Sequence, residues 1–356
     1  MTEQPRIGKF RPAQVAPYPR NVWYVAAAGA ELGRELLSRK LLGAQVVLFR
    51  IKDGAPVALS DWCPHRGFRL SKSKLIGDNI QCGYHGMLFD RAGECVHVPT
   101  QDTIPRNMKA RSFPVIEKGL WVWIWMGDPK KADPALIPHT GLEERPYHNN
   151  FYFCYPMMGN FQLLHDNLLD ASHVSFLHSG AVDNKDEVSS ADVVPEIMED
   201  VIRTTRVLRN FMPNERLAST FKLAEGLAVD RYVITESYLP SLAMVINRQT
   251  VANEPDRMLS EHIGHIPITP ADERTAYHFF GVSSTFAPDN LEMAIERTRA
   301  VIAQDAVAVE AAQRCYEEMG SEFREFSVKA DELALYGRRR IARMVAAEQR
   351  AREEPT

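Results

Sequence analysis

The chain has 356 residues, is 45% hydrophobic and 25% charged, and carries a formal net charge of −4. That length calls for two domains or one large one, and the composition is that of an ordinary globular protein, far from disordered or collagenous extremes. The basic residues are scattered apart from a short run near the end, which leaves no electrostatic footprint for nucleic acid, and no window of eighteen apolar residues suggests a membrane span.

In chain order, the first twenty residues form a polar, proline-containing leader without the apolar stretch of a signal peptide, so a cytoplasmic location is expected. Residues 22 to 128 hold short apolar runs (VWYVAAA, AQVVLFR, PVALSDW, LWVWIWM) punctuated by KDG, GDN and RAGE. Valine and tryptophan enrichment with such turn signals predicts antiparallel β structure. All five tryptophans, Trp23, Trp62, Trp121, Trp123 and Trp125, fall here and are expected to fill a small β core. Gly127-Asp128-Pro129 and the prolines at 134 and 138 break the last strand, because proline cannot donate into a central ladder. The expected division is residues 1–136 and 137–356. In the second part, residues 160 to 178 read as helical, Asp192 to Leu223 and Tyr232 to Phe286 as alternating strands, and Asn290 to Met319 as a long helix rich in Ala, Glu and Arg. The fold class is therefore α+β, with an all-β N-terminal domain followed by an antiparallel sheet with helices. The C-terminal GRRRIARMVAAEQRAREE reads as a solvated amphiphilic helix.

Five cysteines are too few and too dispersed for a disulfide framework, which makes metal ligation the better use for some of them. In Cys63-Pro-His65-Arg-Gly67 and Cys82-Gly-Tyr-His85-Gly86, sixteen residues lie between His65 and Cys82, and each segment supplies one thiolate and one imidazole. A Rieske [2Fe–2S] centre needs that two-plus-two set, with Cys63 and Cys82 on one iron and His65 and His85 on the other. A structural zinc site fits poorly, since ribbons and fingers usually open with Cys-x2-4-Cys. Glycines 67, 83 and 86 suit tight loops whose N–H groups can reach the sulfurs.

Further along, Asn167-Leu-Leu-Asp170-Ala-Ser-His173-Val-Ser-Phe-Leu-His178 puts Asp170 and His173 on one helix face. An ideal helix swings His178 roughly 140° away, so joint ligation by both histidines predicts a wide turn or a helix end between them. Two histidines become a non-haem iron site when a carboxylate completes the facial triad, and the best candidate is Asp305, an acid in the apolar stretch Ala-Gln-Asp-Ala-Val-Ala-Val-Glu.

From Asn21-Val-Trp-Tyr-Val-Ala-Ala through both cluster loops to Asp305-Ala-Val-Ala-Val-Glu310, the chain resembles the Rieske non-haem iron oxygenases, in particular the group containing vanillate and dicamba O-demethylases. Met87 departs from the tryptophan that many relatives carry after His-Gly. The resemblance implies a Rieske β domain and a helix-grip-like catalytic domain with a mononuclear Fe(II). It further implies that Asp170 bridges cluster His85 of one subunit to His173 of the next in a head-to-tail homotrimer, and that Asn167 positions groups near the iron. The implied activity is monooxygenation of an aromatic compound by O2, as O-demethylation or hydroxylation. Ring cis-dihydroxylation is the alternative, and a bare electron carrier would leave over two hundred residues unexplained. No Gly-x-Gly-x-x-Gly or P-loop occurs, so electrons from NAD(P)H are expected through a separate ferredoxin or flavin reductase.

Several features are left without a metal role. In Glu261-His262-Ile-Gly-His265 the two histidines would face opposite sides of a strand. Cys95, Cys154 and Cys315 are expected as small buried hydrophobes. His97 and His165 have no assignment, and Arg231 or Arg248 could meet a substrate carboxylate.

Overall fold

The computed structural model describes residues 18–141, 145–179 and 187–353, and these form two compact units. The first comprises Pro19–Thr140 together with Thr269–Asp272. Its strands are short: β1 (Trp23–Ala28), β2 (Leu37–Leu41), β3 (Ala44–Arg50), β4 (Pro56–Ser60), β5 (Lys74–Ile76), β6 (Asn79–Gln81), β7 (Leu88–Phe89), β8 (Cys95–His97), β9 (Ser112–Phe113), β10 (Val115–Lys118) and β11 (Trp121–Trp125). They form three antiparallel sheets, β1-β11-β10, β2-β3-β4-β9 and β5-β6-β7-β8.

Four of the five tryptophans are buried as expected. Trp23 and Trp125 meet edge to face at 5.5 Å, and their indole N–H groups donate to the carbonyls of Asp133 and Asp128. Trp62 corrects the expectation: it is 46% exposed beside Cys63, with the Arg69 guanidinium 4.7 Å above its ring. After β11, prolines 129 and 134 each open a one-turn 3-10 helix capped by the preceding aspartate, which ends sheet pairing. Residues Thr269–Asp272 return to this unit late in the chain, where the N–H groups of Leu42 and Gly43 donate to Pro270 and Ala271.

The second unit is built on one seven-stranded sheet. Its strands are β12 (His148–Met157), β13 (Val193–Ile197), β14 (Ile202–Phe211), β15 (Val229–Tyr238), β16 (Leu242–Val251), β17 (Glu254–Pro270) and β18 (Ala276–Ser284), in the order β12-β18-β17-β16-β15-β14-β13. Cross-strand register sorts the side chains. Met157, Ile202, Ala243, Ile266, Ile268 and Ala276 face inward against α1 (Phe161–Leu169), whereas Met244, Ile246 and Ile263 form a smaller cluster on the other side. The remaining helices are α2 (Val174–Leu177), α3 (Glu187–Ser190), α4 (Glu215–Thr220), α5 (Leu291–Met319) and α6 (Glu332–Glu353). The expected long helix is α5, which Asn290 opens by accepting from the Met293 N–H. Residues 215–220 are helical rather than extended, with Asn214 as the cap. The C-terminal helix is not wholly solvated, since Ala334, Arg338, Ile341 and Val345 are buried. No described helix is long and apolar enough to cross a membrane.

Candidate active site: paired cluster loops and a two-histidine, one-carboxylate centre

The two Cys/His loops are built on one hydrogen-bond pattern. Cys63 N–H donates to Phe68 O and Gly67 N–H to Cys63 O; Cys82 N–H donates to Met87 O and Gly86 N–H to Cys82 O. Gly67 and Gly86 close these turns at φ of +69° and +73°, a conformation that side-chain-bearing residues adopt at a cost. The loops thus bring like to like. The Cys82 thiol acts electrostatically on that of Cys63, and the His65 and His85 rings lie 4.7 Å apart. Burial, with the Cys82 thiol alongside, pushes Cys63 up to about 11, while desolvation and the His85 imidazole lower His65. Two thiols and two imidazoles facing one another are the donor set of a Rieske cluster, and both sulfurs are buried while His85 is exposed. Behind the first loop, buried Asp61 accepts from Arg69 Nε, Ser38 Oγ and the Ser71 N–H and hydroxyl. Met87 lies in the apolar core beneath both loops and leaves the donors untouched.

In the second unit the helix predicted over 160 to 178 breaks where the ligand geometry needs it. α1 ends at Leu169, and Asp170 is extended, with φ −116° and ψ 98°. Its carboxylate accepts from the Ser172 N–H (2.9 Å) and hydroxyl (2.7 Å) and so starts a 3-10 turn that carries His173 into α2. Asp170 and His173 therefore do not share a helix face, because the capping bond takes Asp170 out of the helix. His178 follows as the C-cap of α2.

This irregular path lets both histidines reach Asp305 on α5. His178 Nε2 lies 3.1 Å and His173 Nε2 3.5 Å from Asp305 Oδ1, the rings are 5.2 Å apart, and all three ligand atoms fall within 4.8 Å of one another. Each Nδ1 is engaged elsewhere, His173 with the Asp170 carbonyl at 2.6 Å and His178 with Gln304 Oε1 at 2.8 Å. With Nδ1–H donating outward, each Nε2 lone pair turns to the centre, as in metal-bound imidazoles. Burial works to raise Asp305, but His178, His173 and His278 outweigh it and hold the carboxyl below its ordinary value. Asn167 Nδ2 donates to Asp305 Oδ1 (3.2 Å), and its own Oδ1 is buried without a partner. An anionic oxygen, two imidazole lone pairs and an unsatisfied amide oxygen alongside fit a bound divalent iron with coordination positions to spare.

Two residues at this centre escaped the sequence reading. Gln304 had no signal beyond preceding Asp305. His278, on β18, is 1% exposed with neither ring nitrogen hydrogen-bonded, and only its place on the inner face distinguishes it. Of the unassigned residues, His165 is buried and bonded to the Pro240 carbonyl, and His97 is exposed. His262 and His265 do face opposite sides of β17, paired with Asn247 and Met244. Arg248 is held by Glu261. Cys95 is buried, whereas Cys154 and Cys315 are only partly so.

A β unit with paired Cys/His loops and an antiparallel sheet bearing a two-histidine, one-carboxylate centre define a Rieske-type non-haem iron oxygenase. The family model of the Rieske [2Fe-2S] domain matches residues 22–114, and that of the vanillate O-demethylase oxygenase C-terminal domain matches residues 157–347, over half of the chain. The chain belongs to this vanillate O-demethylase oxygenase family. It is 33% identical to the oxygenase component of dicamba O-demethylase from Stenotrophomonas maltophilia over 83% of this chain and 88% of that one. It is 29% identical to a vanillate O-demethylase oxygenase subunit from a Pseudomonas strain over 94% and 97%. The crystal structure of dicamba monooxygenase bound to 3,6-dichlorosalicylic acid superposes with a TM-score of 0.85 at 31% identity, covering 93% of this chain and 98% of that one. The chain is thus the oxygenase component of a Rieske monooxygenase system acting on aromatic compounds, with a [2Fe–2S] cluster and a non-haem iron as its cofactors.

Proposed function

We propose that this chain inserts one oxygen atom of O2 into a C–H bond of an aromatic substrate, as O-demethylation of an aryl methyl ether or as hydroxylation. Cys63, Cys82, His65 and His85 would hold the cluster in residues 1–136, and His173, His178 and Asp305 the Fe(II) in residues 137–356. The observation that carries this reading is the convergence of the three ligand atoms within 4.8 Å with both Nδ1 atoms engaged elsewhere. Iron at this centre supplies the activation of O2, fed with electrons by a ferredoxin or flavin reductase. The net change for a methyl ether takes up O2, two electrons and two protons. It gives water and a hemiacetal, which collapses to a phenol and formaldehyde.

The protein's own residues orient and connect. Asp170 ties His173 through its carbonyl while its carboxylate stands on the rim of a cavity of about 220 Å³ lined also by Asp166, Glu325, Asp331 and Arg338. The excess of acids in that cavity matches the basic, aromatic tip of the cluster unit, where Arg66, Lys72, His85 and Tyr84 (59% exposed) stand outward. Charge complementarity of this kind supports docking of one copy's cluster tip against the next copy's iron site, with Asp170 as the bridge to His85. A head-to-tail contact of two different surfaces closes into a ring, here a homotrimer. Asn167 holds Asp305 in place.

Metal analysis tests the ligand assignment. The intact chain should contain about three irons and two acid-labile sulfides. His173→Ala should lose one iron and keep the cluster absorption, and loss of the cluster signal instead would contradict two separate sites.

A further inference from the structure

At the end of α1 the acidic cavity of about 220 Å³ holds a carboxyl oxygen that no contact in the fold uses. Three of its acids are engaged. Both Glu325 oxygens accept from Arg338 at 2.7 and 2.8 Å, both Asp170 oxygens accept from Ser172, and Asp331 accepts from the Val328 N–H at 2.6 Å. Asp166 differs. Its Oδ2 takes Nε and Nη2 of Arg338 at 2.8 and 2.6 Å, while Oδ1 is buried with no hydrogen-bond partner, the one carboxylate oxygen so left among the described residues. Its neighbour Asn167 also lines the cavity with a buried, unbonded Oδ1, and donates from Nδ2 to the proposed ligand Asp305 at 3.2 Å.

A buried acceptor calls for a donor, and here the donor is either water or a proton on Asp166 itself. The cavity has room for several waters, each of which takes roughly 30 Å³ in the liquid, and its walls are polar enough to hold them. Burial raises the Asp166 carboxyl to about 6, against the pull of Arg338 and with Glu325 and Asp331 adding to the rise, so this acid exchanges its proton close to neutral pH. Tyr316 on α5, which feels the charge of Asp166, is itself raised by burial to about 12 and stays neutral. Asp170, the proposed bridge for electrons, and His173 line the same cavity, so a proton held there stands where the electron arrives and its delivery leaves no charge behind.

We infer that Asp166 stores on Oδ1 one of the two protons that O2 reduction consumes and delivers it through cavity water past Asn167 Oδ1, with Glu325 and Asp331 reloading it from solvent. The Asp166 O–H bond breaks, water relays the proton, and the oxygen atom not inserted into substrate gains it on its way to water. No electron passes through Asp166, which acts through water and does not touch the reacting atoms. The inference rests on the oxygenase reading of the His173, His178 and Asp305 centre.

Infrared difference spectroscopy of the iron-loaded protein, with 13C at the aspartate side-chain carboxyls, tests it. An aspartic-acid C=O band shifted by the label should grow as pH falls through about 6 and be absent from Asp166→Asn, whose amide oxygen still accepts from Arg338. In stopped flow with 4-methoxybenzoate, reoxidation of the reduced wild-type cluster by O2 should slow as pH rises through the same value, because the acid form is lost. Asp166→Asn should be slower by about 10–100-fold and flat with pH, with cluster absorption and iron content unchanged, and Asp166→Glu should recover most of the rate. A band that survives in Asp166→Asn, or reoxidation of that variant within about twofold of wild type, overturns the inference. Should Asp166→Asn not fold, the lack of any titrating aspartic-acid band in the wild type overturns it alone. The oxygenase reading fails separately, through 18O2 label in no product, and the band then still decides whether Asp166 holds the proton.

Discussion

Asp170 serves the backbone and the site at once. Its carboxylate caps the turn at Ser172 and its carbonyl orients His173, so a variant must keep the cap if it is to report on electron routing. Asn can still accept from the Ser172 N–H. Asp170→Asn should therefore retain cluster absorption and iron content while slowing cluster reoxidation in a stopped-flow single turnover by at least about 100-fold, a barrier of ~2.7 kcal/mol. Near wild-type reoxidation would refute the bridging role. At this scale the sequence was most informative about candidate ligands, because Cys, His and Asp at metal spacing have few other uses. It was silent on Gln304 and His278, whose places beside His178 and Asp305 depend on which strand or helix faces which. Trp62 was misread because exposure beside a cluster loop leaves no mark on an apolar-run pattern.

Among the elements, α5 must lie close to the end of β12 for Asp305 to meet the histidines. Gly159 permits that approach, since a Cβ there would stand 2.6 Å from Val309 Cγ1, one helical turn beyond Asp305. Gly159→Ala should cost about 1–3 kcal/mol by overpacking and lower iron occupancy, seen as a reduced melting temperature and iron content. Val309→Ala in the same chain should recover both; failure to recover would mean that the glycine acts elsewhere. The long helix and the six later strands of the large sheet were legible from periodicity, whereas β12 was not. An interruption was expected between His173 and His178, whereas the helix already breaks at Asp170, because the capping bond to Ser172 takes that residue out of the helix. Residues 215–220 were missed because six helical residues between strands are too short for a 3.6-residue period to show. The C-terminal helix was judged solvated from its charge, yet Arg338 is buried between Asp166 and Glu325, a pairing no local pattern reveals.

For the molecule as a whole, buried histidines set its acid limit. Burial lowers His165, His262, His265 and His278 to about 4, well below the ordinary 6.5. Between those values the unfolded chain binds the protons and the folded chain does not, so stability rises with pH across the window and is lost as pH falls through it. Each histidine contributes on the order of 3 kcal/mol that is gone by pH 4. Urea unfolding should show a free energy declining from pH 6.5 downward, with up to four protons taken up; a flat profile between pH 6.5 and 5 would contradict this. The two-unit plan was legible, whereas the return of Thr269–Asp272 to the N-terminal unit was not, because it depends on where β17 ends in space.

The central claim, that this centre transfers a single oxygen atom, is tested most directly by one reduced single turnover under 18O2 with an aromatic methyl ether acid, analysed by mass spectrometry. One labelled atom, in formaldehyde beside an unlabelled phenol or in a hydroxylated product, is the predicted result. Two labelled atoms in a cis-diol, or iron-loaded enzyme that reduces O2 without labelling any aromatic acid or ether, would contradict it.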